Sequence, residues 1–460
     1  MLTIYNSMTK NKEVFKTLIP NQVSMYVCGV TVYDHCHLGH ARCMIVFDMV
    51  VKYFRHLGYQ VKFVRNITDI DDKIIKRAQE KNVTFDAISQ EFSLSMKNDA
   101  ASLGLNAPDV EPLATEHIQD MIALIQNLIE KHVAYVSQSG DVCFSVNKFS
   151  AYGKLSKQDL SQLNSGIRIH IDEGKNSPLD FVLWKSAKAG EPSWPSPWGE
   201  GRPGWHIECS AMAMHHLGPQ IDIHGGGLDL QFPHHENEIA QTEACTEQTF
   251  ANYWMHVGLL QINHEKMAKS TGNFLTIKDA LKRYHPEVLK LFFMSSHYRS
   301  PLNFSDELLS QNHKALQRLY QCLAQHQPTF EEHNPSLIKE WVEKFESCMN
   351  DDFNTSEAVA VLFELCTQIN KAPSVSLVVT LKYLGNILGL LTLEPNEFMK
   401  YSNTAEGMSE QEIEAFIQQR KDARIQKQYQ KADEIRQMLL KHGIELEDSS
   451  TGTNWKRLVN

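Results

Sequence analysis

The sequence predicts an α/β protein with a doubly wound, Rossmann-like parallel sheet, an insertion in that sheet domain, and a helical region that ends in a small C-terminal domain. The sheet is predicted by a strand–helix–strand pattern near the N-terminus and by polar turns that directly follow predicted strands. The helical region is predicted by an overwhelmingly helical pattern from Ile277 onward.

The N-terminal strand–helix–strand unit contains the first candidate site. Residues 23–27 have the pattern of a short buried strand. Residues 41–57 carry apolar side chains at helical spacing, and Gly58 suits the position just after a helix end. Residues 61–64 form the second predicted strand. Ligands of such sheets bind beyond the carboxyl ends of the strands, so Cys28 and the His-rich turn after it are predicted to lie at a ligand site.

The sheet domain is predicted to be interrupted by an insertion over residues 85–180 and then to resume. The later predicted elements are a helix at 116–131, a strand at 141–145, a Pro-, Gly- and Trp-rich loop at 191–205, a strand at 221–224, a helix with Pro233 at its first position, a strand at 253–261, and a last helix at 409–442 that stops at Gly443.

Length and composition exclude several classes of protein. The 460 residues exceed one ordinary core, so several domains are expected. No stretch approaches the length of an apolar membrane span, the N-terminus lacks the pattern of a secretory signal, and nine cysteines, an odd number, argue against a disulfide framework. We therefore expect a cytoplasmic protein. The net charge of −10 argues against indiscriminate nucleic-acid binding but allows a local basic surface for one RNA.

Two separated motifs are suited to binding phosphate. His37-Leu38-Gly39-His40 lies at a predicted helix start, where free N–H groups and the helix dipole favour anions. Lys266-Met267-Ala268-Lys269-Ser270 places two lysines where they can neutralise a triphosphate and then the departing pyrophosphate. Either motif alone is better explained by ordinary surface residues, whereas the pair in one α/β chain is far more specific.

Two further segments carry possible metal ligands. Residues 204–209 end in Cys209, and residues 232–238 contain His234 and Glu238, which share one face if the segment is helical. Thiolate, imidazole and carboxylate groups all bind zinc. The alternative is that Cys28 and Cys209 are ordinary buried residues that fill apolar space, and that His234 and Glu238 form a solvated pair.

Together these motifs resemble the class I aminoacyl-tRNA synthetases and, within that class, the cysteinyl-tRNA synthetase family. The histidine turn and the lysine loop resemble the paired motifs of the class. The resemblance extends over nearly the whole chain through residues 26–29, 66–73, 226–230, 443–448 and 452–455. Leu38 and Ala268 depart from the family's motifs, but both histidines, both lysines and Ser270 are retained.

The resemblance implies roles for individual residues. It implies one zinc ion per chain, held by Cys28, Cys209, His234 and Glu238. It implies ATP binding by His37, Gly39, His40, Lys266, Lys269 and Ser270, of which the two histidines and two lysines are also catalytic. It implies substrate contacts by Gly29, Thr31, Thr68, Trp205 and Asp229.

The resemblance also implies an activity and its partners. The expected enzyme activates L-cysteine with ATP and Mg²⁺ and then transfers the cysteine to tRNA-Cys. We expect a monomer that contacts no membrane. The implied domains are a first catalytic half (1–115), a connective insertion (116–195), a second catalytic half (196–250), the lysine loop with a stem-contact region (251–315), a helical tRNA-binding bundle (316–400) and an anticodon-binding domain (401–460).

The C-terminal segment carries a local excess of positive charge. Residues 420–441 contain seven lysines and arginines against three acids, which predicts anticodon contacts along the last helix, although a solvated helix face is the alternative. Trp455, beside Lys456 and Arg457, is predicted to stack on an unpaired anticodon base.

Several alternatives stay open from the sequence. Asp69, Asp71 and Asp72 either bind Mg²⁺ or cap and charge the start of a helix. Asp229 either meets the substrate ammonium or belongs to a turn, and Trp205 either walls the pocket or anchors a loop. Two other functions compete with the main one. A cysteine ligase of mycothiol-type thiol biosynthesis has no need of an anticodon-reading C-terminus, and a non-catalytic RNA-binding relative would be expected to lose the lysine loop or the metal ligands.

Overall fold

The computed structural model describes residues 1–158, 174–262, 265–266, 274–326, 336–401, 408–449 and 452–457. The strands, in chain order, are β1 (Thr3–Asn6), β2 (Asn11–Val14), β3 (Gln22–Thr31), β4 (Gln60–Thr68), β5 (Ala134–Val136), β6 (Val142–Phe144), β7 (Phe181–Ser186), β8 (Gly201–Pro203), β9 (Ile221–Gly227), β10 (Ala251–Val257), β11 (Leu260–Ile262), β12 (Glu265–Lys266), β13 (Leu302–Phe304), β14 (Ile444–Ser449) and β15 (Gly452–Arg457). The α-helices are α1 (Leu38–His56), α2 (Asp72–Lys81), α3 (Phe85–Ser102), α4 (Ile118–Glu130), α5 (Trp205–Leu217), α6 (Glu236–Thr246), α7 (Ile277–Leu281), α8 (Pro286–Met294), α9 (Asp306–Gln325), α10 (Lys339–Met349), α11 (Thr355–Lys371), α12 (Val375–Ile387), α13 (Pro395–Lys400), α14 (Glu410–Ile425) and α15 (Tyr429–Lys441).

The central sheet has four parallel strands in the order β10-β9-β3-β4. Strand β3 is longer than predicted because Val30 and Thr31 also pair with β4, beyond a register shift between Val27 and Val30. The glycines at 225–227 are the end of strand β9, which therefore extends beyond the strand predicted at 221–224. The parallel sheet predicted from the sequence is therefore confirmed, and its carboxyl edge carries Cys28 and the end of β9.

Helix α1 packs its apolar residues against one face of this sheet. Ile45, Phe47, Val50 and Phe54 are buried in a core that continues into the helical region. Burying each such side chain stabilises the fold by about 1.5–3 kcal/mol. The helix ends at His56, and Gly58 adopts the left-handed conformation with φ +88°, as its position after the helix predicts.

Helices α4 and α5 pack with the insertion in a second core. The insertion carries an antiparallel sheet in the order β5-β6-β7-β8, and its last strand is Gly201–Pro203, beyond the expected boundary at residue 195. The loop predicted at 191–205 is therefore wrong in its second part, because β8 lies within it and α5 begins at Trp205. The helix predicted at 116–131 begins with a 3₁₀ turn, Ala114–His117.

The strand predicted at 253–261 is interrupted after Val257, so that β11 starts a separate small sheet with β12 and β13. Helix α9 spans Asp306–Gln325, so a domain boundary at 316 would cut it. Among the helices that the structure describes, none is both long enough and apolar enough to cross a membrane.

The C-terminal segment forms a small unit with its own apolar cluster. The single helix predicted at 409–442 is wrong, because α14 ends at Ile425 and α15 begins at Tyr429, with Lys427 at φ +59° between them. A left-handed residue interrupts helical geometry, and lysine gives no sequence signal for it. Gly443 follows α15, and β14 and β15 then form an antiparallel hairpin.

Candidate active site and metal centre

The four predicted metal ligands converge in the structure. Cys28 lies on β3, Cys209 lies on α5, and His234 and Glu238 come from the turn before α6 and from α6 itself. The Cys28 sulfur is 3.6 Å from the Cys209 sulfur and 3.2 Å from Glu238 Oε1, and His234 Nε2 is 3.1 Å from the same Oε1. All four side chains are buried. One ion could contact all of them.

The spacing of these donor atoms fits zinc. At Zn–S bonds of about 2.3 Å and tetrahedral angles, two sulfurs lie about 3.7 Å apart, and nitrogen and oxygen donors lie somewhat closer. The observed 3.6 Å between the sulfurs and the observed 3.1 Å between His234 Nε2 and Glu238 Oε1 match this geometry. Two thiols, an imidazole and a carboxylate also form a donor set that favours zinc over magnesium or calcium.

The electrostatics of the cluster favour a bound cation. Burial, together with the hydrogen bond to Cys209 and the charge of Glu238, raises the pKa of the Cys28 thiol well above its ordinary value. Burial acts to raise the pKa of the Glu238 carboxyl as well, but His224 and His234 more than offset it, so that this pKa is lowered. A bound cation would displace the thiol protons and would offset the repulsion between the resulting thiolates and the Glu238 carboxylate.

Two further histidines support the cluster and were missed from the sequence. His224 Nε2 lies 2.8 Å from Glu238 Oε2, and His206 Nδ1 lies 3.0 Å from His234 Nδ1. Partners of this kind orient metal ligands and tune their basicity. The segments Gly204–Cys209 and Ile221–His224 placed both histidines near predicted ligands, but spacing alone does not reveal which one faces the site.

A cleft of about 350 Å³ opens beside this cluster, at the carboxyl edge of the parallel sheet. The predicted residues that line it are Gly29, Thr31, His37, Gly39, His40, Trp205 and Asp229. Cys28 lines the cleft as well, so it is shared by the cleft and the cluster. Thr68 is not among the described residues that line the cleft; it is buried, and its Oγ1 accepts a hydrogen bond from the Asn66 amide.

Gly29 has a structural reason to be glycine. Its N–H donates to Asn66 Oδ1 at 2.8 Å, and a Cβ atom at this position would lie 1.7 Å from the Asn66 carbonyl oxygen. Any larger residue would therefore push β3 away from β4 next to the cleft. A substitution at Gly29 thus tests strand packing as much as substrate contact.

The histidine turn is arranged differently from the expectation. His37 caps α1, and its Nδ1 accepts hydrogen bonds from the N–H groups of Gly39 and His40 at 3.0 and 3.3 Å. These two N–H groups are therefore not free for phosphate. Burial, with the charges of His37 and Lys73, lowers the pKa of His40 to about 3, so its imidazole is neutral near pH 7. His40 can thus donate a hydrogen bond to phosphate, but it cannot supply a full charge.

Among the described residues that line the cleft, two carry positive charge that sequence reasoning did not single out. Lys73 and Arg65 line it, with Lys73 Nζ 5.3 Å from the ring centre of Tyr33. Arg65 is partly compensated by Glu111, 2.7 Å away. Lys73 lies within the segment 66–73 that carries the resemblance, but nothing in its local pattern distinguishes it from an exposed helix residue.

The three aspartates considered for Mg²⁺ each have a structural partner. Asp69 accepts hydrogen bonds from the Thr115 N–H and hydroxyl, and Asp71 caps α2. Asp72 pairs with Lys185 and Arg202. Hydrogen bonds to Thr115, helix capping and ion pairing therefore account for Asp69, Asp71 and Asp72, respectively.

Two expectations on the motif segments have different outcomes. Pro233 does not begin the helix, because it lies in a π-helical turn, Gln231–His235, and α6 begins at Glu236. This prediction is wrong by one turn, although His234 and Glu238 still meet. Lys266 lies on β12, whereas Lys269 and Ser270 lie outside the described residues.

Trp455 does not have the exposure predicted for it. The ring is 4% exposed within the C-terminal apolar cluster, its Nε1 donates to Glu414 at 2.7 Å, and the Lys400 and Arg457 cations lie over its ring. Stacking of an RNA base on this ring is therefore not supported.

Arg420 is also buried, paired with Asp448, whereas the other six lysines and arginines of residues 420–441 are exposed.

Comparisons with known proteins agree with this architecture. The family described as tRNA synthetases class I (C) catalytic domain matches residues 14–314, and the DALR domain family matches residues 344–392. A solved structure of methionyl-tRNA synthetase from Mycobacterium tuberculosis, in complex with methionyl-adenylate, aligns with a TM-score of 0.57 over 80% of this chain and 89% of that chain. At 14% identity this likeness shows a shared fold only.

Full-length relatives are far more similar. The chain is 57% identical to the cysteine–tRNA ligase of Legionella pneumophila (strain Corby) over 100% of both chains. It is 53% identical to the cysteine–tRNA ligase of Methylococcus capsulatus (strain Bath) over 99% of this chain and 100% of that protein. With the class I catalytic domain, the fold and these full-length matches in agreement, the chain belongs to the cysteine–tRNA ligase family of class I tRNA synthetases.

Proposed function

We propose that this cysteine–tRNA ligase binds cysteine with its side chain directed at the Cys28, Cys209, His234 and Glu238 cluster and with its carboxylate toward the histidine turn. One observation carries this proposal: Cys28 belongs both to the buried donor cluster and to the lining of the cleft. A side chain bound in the cleft can therefore reach the cluster. His37 and His40 line the same cleft, and we place the ATP phosphates beside them.

The reaction proceeds in two steps. The cysteine carboxylate oxygen attacks the α-phosphorus of ATP, the bond to the β-phosphate oxygen breaks, and pyrophosphate leaves cysteinyl-adenylate. A terminal ribose hydroxyl of tRNA-Cys then attacks the acyl carbon, loses its proton and displaces AMP. The protein supplies orientation and preorganised charge in both steps.

Residues of the chain have distinct parts in this scheme. Lys266 and Lys269 neutralise the charge that develops on pyrophosphate, and Ser270 binds phosphate beside them. Lys73, which lines the cleft, adds a further positive charge. His40, neutral because of its lowered pKa, donates a hydrogen bond to phosphate, while His37 holds the helix start that positions it. Mg²⁺ enters with ATP, and no described carboxylate cluster is assigned to it.

One zinc ion per chain would be held by Cys28, Cys209, His234 and Glu238. When bound there, zinc would supply affinity for a thiolate sulfur, which the harder and less acidic hydroxyl of serine matches poorly. An apolar pocket could not reject serine strongly, because the two amino acids have nearly the same shape. Trp205 closes this side of the pocket, with its ring 4.3 Å from that of His234, and Asp229 faces the substrate ammonium.

We further propose that the helical region and the C-terminal unit bind tRNA-Cys. We propose the expected domain ranges with three changes. The insertion extends to the end of β8, the second catalytic half runs from there to the end of β10, and the stem-contact region extends to the end of α9. The exposed lysines and arginines of α14 and α15 offer a surface for the anticodon arm. We propose a cytoplasmic monomer. The mycothiol-type alternative is disfavoured, since the relatives named cysteine–tRNA ligase match the C-terminal residues as well as the catalytic domain.

Cysteine-dependent exchange of pyrophosphate into ATP, followed by charging of purified tRNA-Cys, tests this function. We expect exchange with cysteine, very little with serine, and charging only with tRNA-Cys. Exchange without charging of any tRNA would point to a different acyl acceptor, and equal exchange with serine would contradict the proposed pocket.

A further inference from the structure

A second group of histidines lies on the surface at the far end of helix α5. His215 and His216 occupy the last turn of α5, and His117 ends the 3₁₀ turn that precedes α4. Ring nitrogens of all three lie within 4.8 Å of one another. The group is separate from the cleft, because His216 is seven residues, or about 10 Å of helix, from Cys209.

The nitrogen atoms of this group are aimed at one another. His117 Nε2 lies 3.2 Å from His216 Nε2, and the ring centres of the three histidines are 4.7–5.0 Å apart. Nitrogen donors of a tetrahedral zinc site lie about 3.3 Å apart, given Zn–N bonds of 2.0–2.1 Å. The separation between His117 and His216 is therefore that of two ligands on one ion.

A carboxylate lies behind two of the three rings. Asp120 Oδ2 is 2.8 Å from His117 Nδ1 and 3.1 Å from His215 Nδ1. These contacts place the ring protons of His117 and His215 on Nδ1, so that each Nε2 carries a lone pair. The His117 lone pair accepts a hydrogen bond from His216 Nε2, and a bound ion would replace that hydrogen bond. A carboxylate that accepts the second N–H of a histidine is the usual support of a metal ligand. His117 is buried, His216 is half-buried and His215 is exposed, so the group is anchored on one side and open to solvent on the other.

We propose that His117, His215 and His216, supported by Asp120, form a second site for a divalent transition metal. Three imidazoles select Zn²⁺, Ni²⁺, Co²⁺ or Cu²⁺ over Mg²⁺ and Ca²⁺, which prefer oxygen ligands. The site lacks thiolates and opens to solvent, so it binds metal more weakly than the cysteine-containing cluster and exchanges it. A bound ion joins the end of α5, which carries Cys209, to the start of α4.

Nickel binding to the full-length, zinc-loaded enzyme tests this site. After equilibrium dialysis against Ni²⁺ alone, the protein should contain one nickel per chain in addition to the retained zinc. Elemental analysis measures both metals. The double variant His215→Ala/His216→Ala should lose this nickel and keep its zinc. Asp120→Asn should weaken nickel binding about 10–100-fold. His442→Ala, which removes an exposed histidine after α15, is the matched control and should bind nickel as the wild type does.

Two results would overturn the proposal. One is the absence of nickel beyond the zinc content at millimolar Ni²⁺, and the other is unchanged nickel binding by the double variant. If circular dichroism shows that the double variant does not fold, His215→Ala alone decides, because its side chain is 48% exposed and its loss leaves the core intact. In the wild type, Ni²⁺ should also raise the thermal midpoint, since a ligand of the folded state stabilises it.

Discussion

The sulfur atoms of Cys28 and Cys209 lie 3.6 Å apart although 181 residues separate them in the sequence. One lies on a strand of the parallel sheet, and the other lies on the helix that follows the insertion. This contact forms only when β3 and α5 have packed together, and the full cluster also needs α6 and the turn before it. The donor cluster is therefore a product of the folded catalytic domain, and metal content reports on that fold.

The first prediction concerns this cluster. Cys209→Ser and His234→Ala should each lower the zinc content well below one per chain. Each should also weaken cysteine binding, because the same residues hold the metal and border the pocket. Elemental analysis and equilibrium binding of cysteine measure the two effects. Chelator-washed protein is needed, so that metal on surface histidines is not counted.

Cys245→Ser is the matched control for this prediction. Cys245 lies on α6, the same helix as Glu238, but outside the cluster, so its replacement should leave zinc and cysteine binding unchanged. If the metal-free enzyme preferred cysteine to serine as strongly as the zinc-loaded enzyme does, the metal would have a structural role only.

The sequence predicted the parts of this protein that follow from local pattern. Apolar spacing predicted α1, and Gly58 predicted its end, because both are properties of neighbouring residues. The convergence of four ligands was predicted from family resemblance, since no local signal brings residues 28, 209, 234 and 238 together. The break at Lys427 was missed because lysine rarely adopts a positive φ and nothing nearby indicates a turn.

The chemistry of the histidine turn and the burial of Trp455 depend on tertiary surroundings. His40 is neutral because neighbouring groups desolvate it and because Lys73, from another helix, lies nearby. Trp455 is buried because α14, α15 and the terminal hairpin pack around it. A basic neighbourhood in sequence suggested an exposed ring, but the cations lie over the ring instead. Such effects belong to contacts between elements and leave no mark in the local sequence.

Lys269→Ala should slow adenylate formation about 10²–10³-fold, the usual loss when one well-placed charge-stabilising group is removed. Cysteine affinity should change little, because the lysine is needed as the phosphates reorganise. Rapid-quench measurement of the first adenylate turnover separates the two quantities. A variant with the wild-type rate and weaker cysteine binding would place this lysine at the amino acid instead.

Asp229→Asn should raise the KM for cysteine about 10–100-fold while leaving the KM for ATP nearly unchanged. Asp229 lines the cleft, and losing a charged hydrogen bond to the substrate ammonium costs about 1.5–3 kcal/mol. Pyrophosphate exchange at varied cysteine and ATP gives both constants. An equal rise in the two constants would indicate a general disturbance of the cleft and not a contact to the amino acid.

The pair between Arg420 and Asp448 should make the stability of the C-terminal unit depend on pH. Two hydrogen bonds of 2.8 and 2.7 Å from Arg420 hold the pKa of the Asp448 carboxyl well below its usual value. A lowered folded-state pKa gives stability that is present above the unfolded value of about 3.9 and lost as pH falls toward the folded value.

Asp448→Asn should therefore reduce hydrogen-exchange protection of β14 and β15 at pH 7, and the difference from the wild type should shrink as pH falls below about 4. Exchange measured by mass spectrometry and corrected for intrinsic rates provides the comparison. The catalytic domain is the internal control, because its peptides should be protected equally in both proteins. A difference that is the same at pH 7 and at acidic pH would mean that packing, and not the charge of Asp448, is responsible.

The exposed positive face of α15 should contribute to tRNA charging and not to adenylate formation. Truncation after residue 400 should spare cysteine-dependent exchange and greatly weaken charging, but it also removes the hairpin that packs on α13. A gentler change keeps the fold: Lys427→Ala with Lys431→Ala removes two exposed charges from the break and first turn of α15. Because the contacts are to phosphate, this double variant should raise the KM for tRNA-Cys and lower its dependence on salt concentration.

Lys188→Ala, an exposed lysine of the insertion, is the matched control for this charge-removal experiment. Charging kinetics at several salt concentrations, with pyrophosphate exchange measured in parallel, distinguish the outcomes. Loss of exchange in the double variant would indicate damage that reaches the catalytic domain. An unchanged KM and an unchanged salt dependence would mean that α15 is a solvated helix face, as its charge pattern alone also allows, and that the anticodon arm is bound elsewhere.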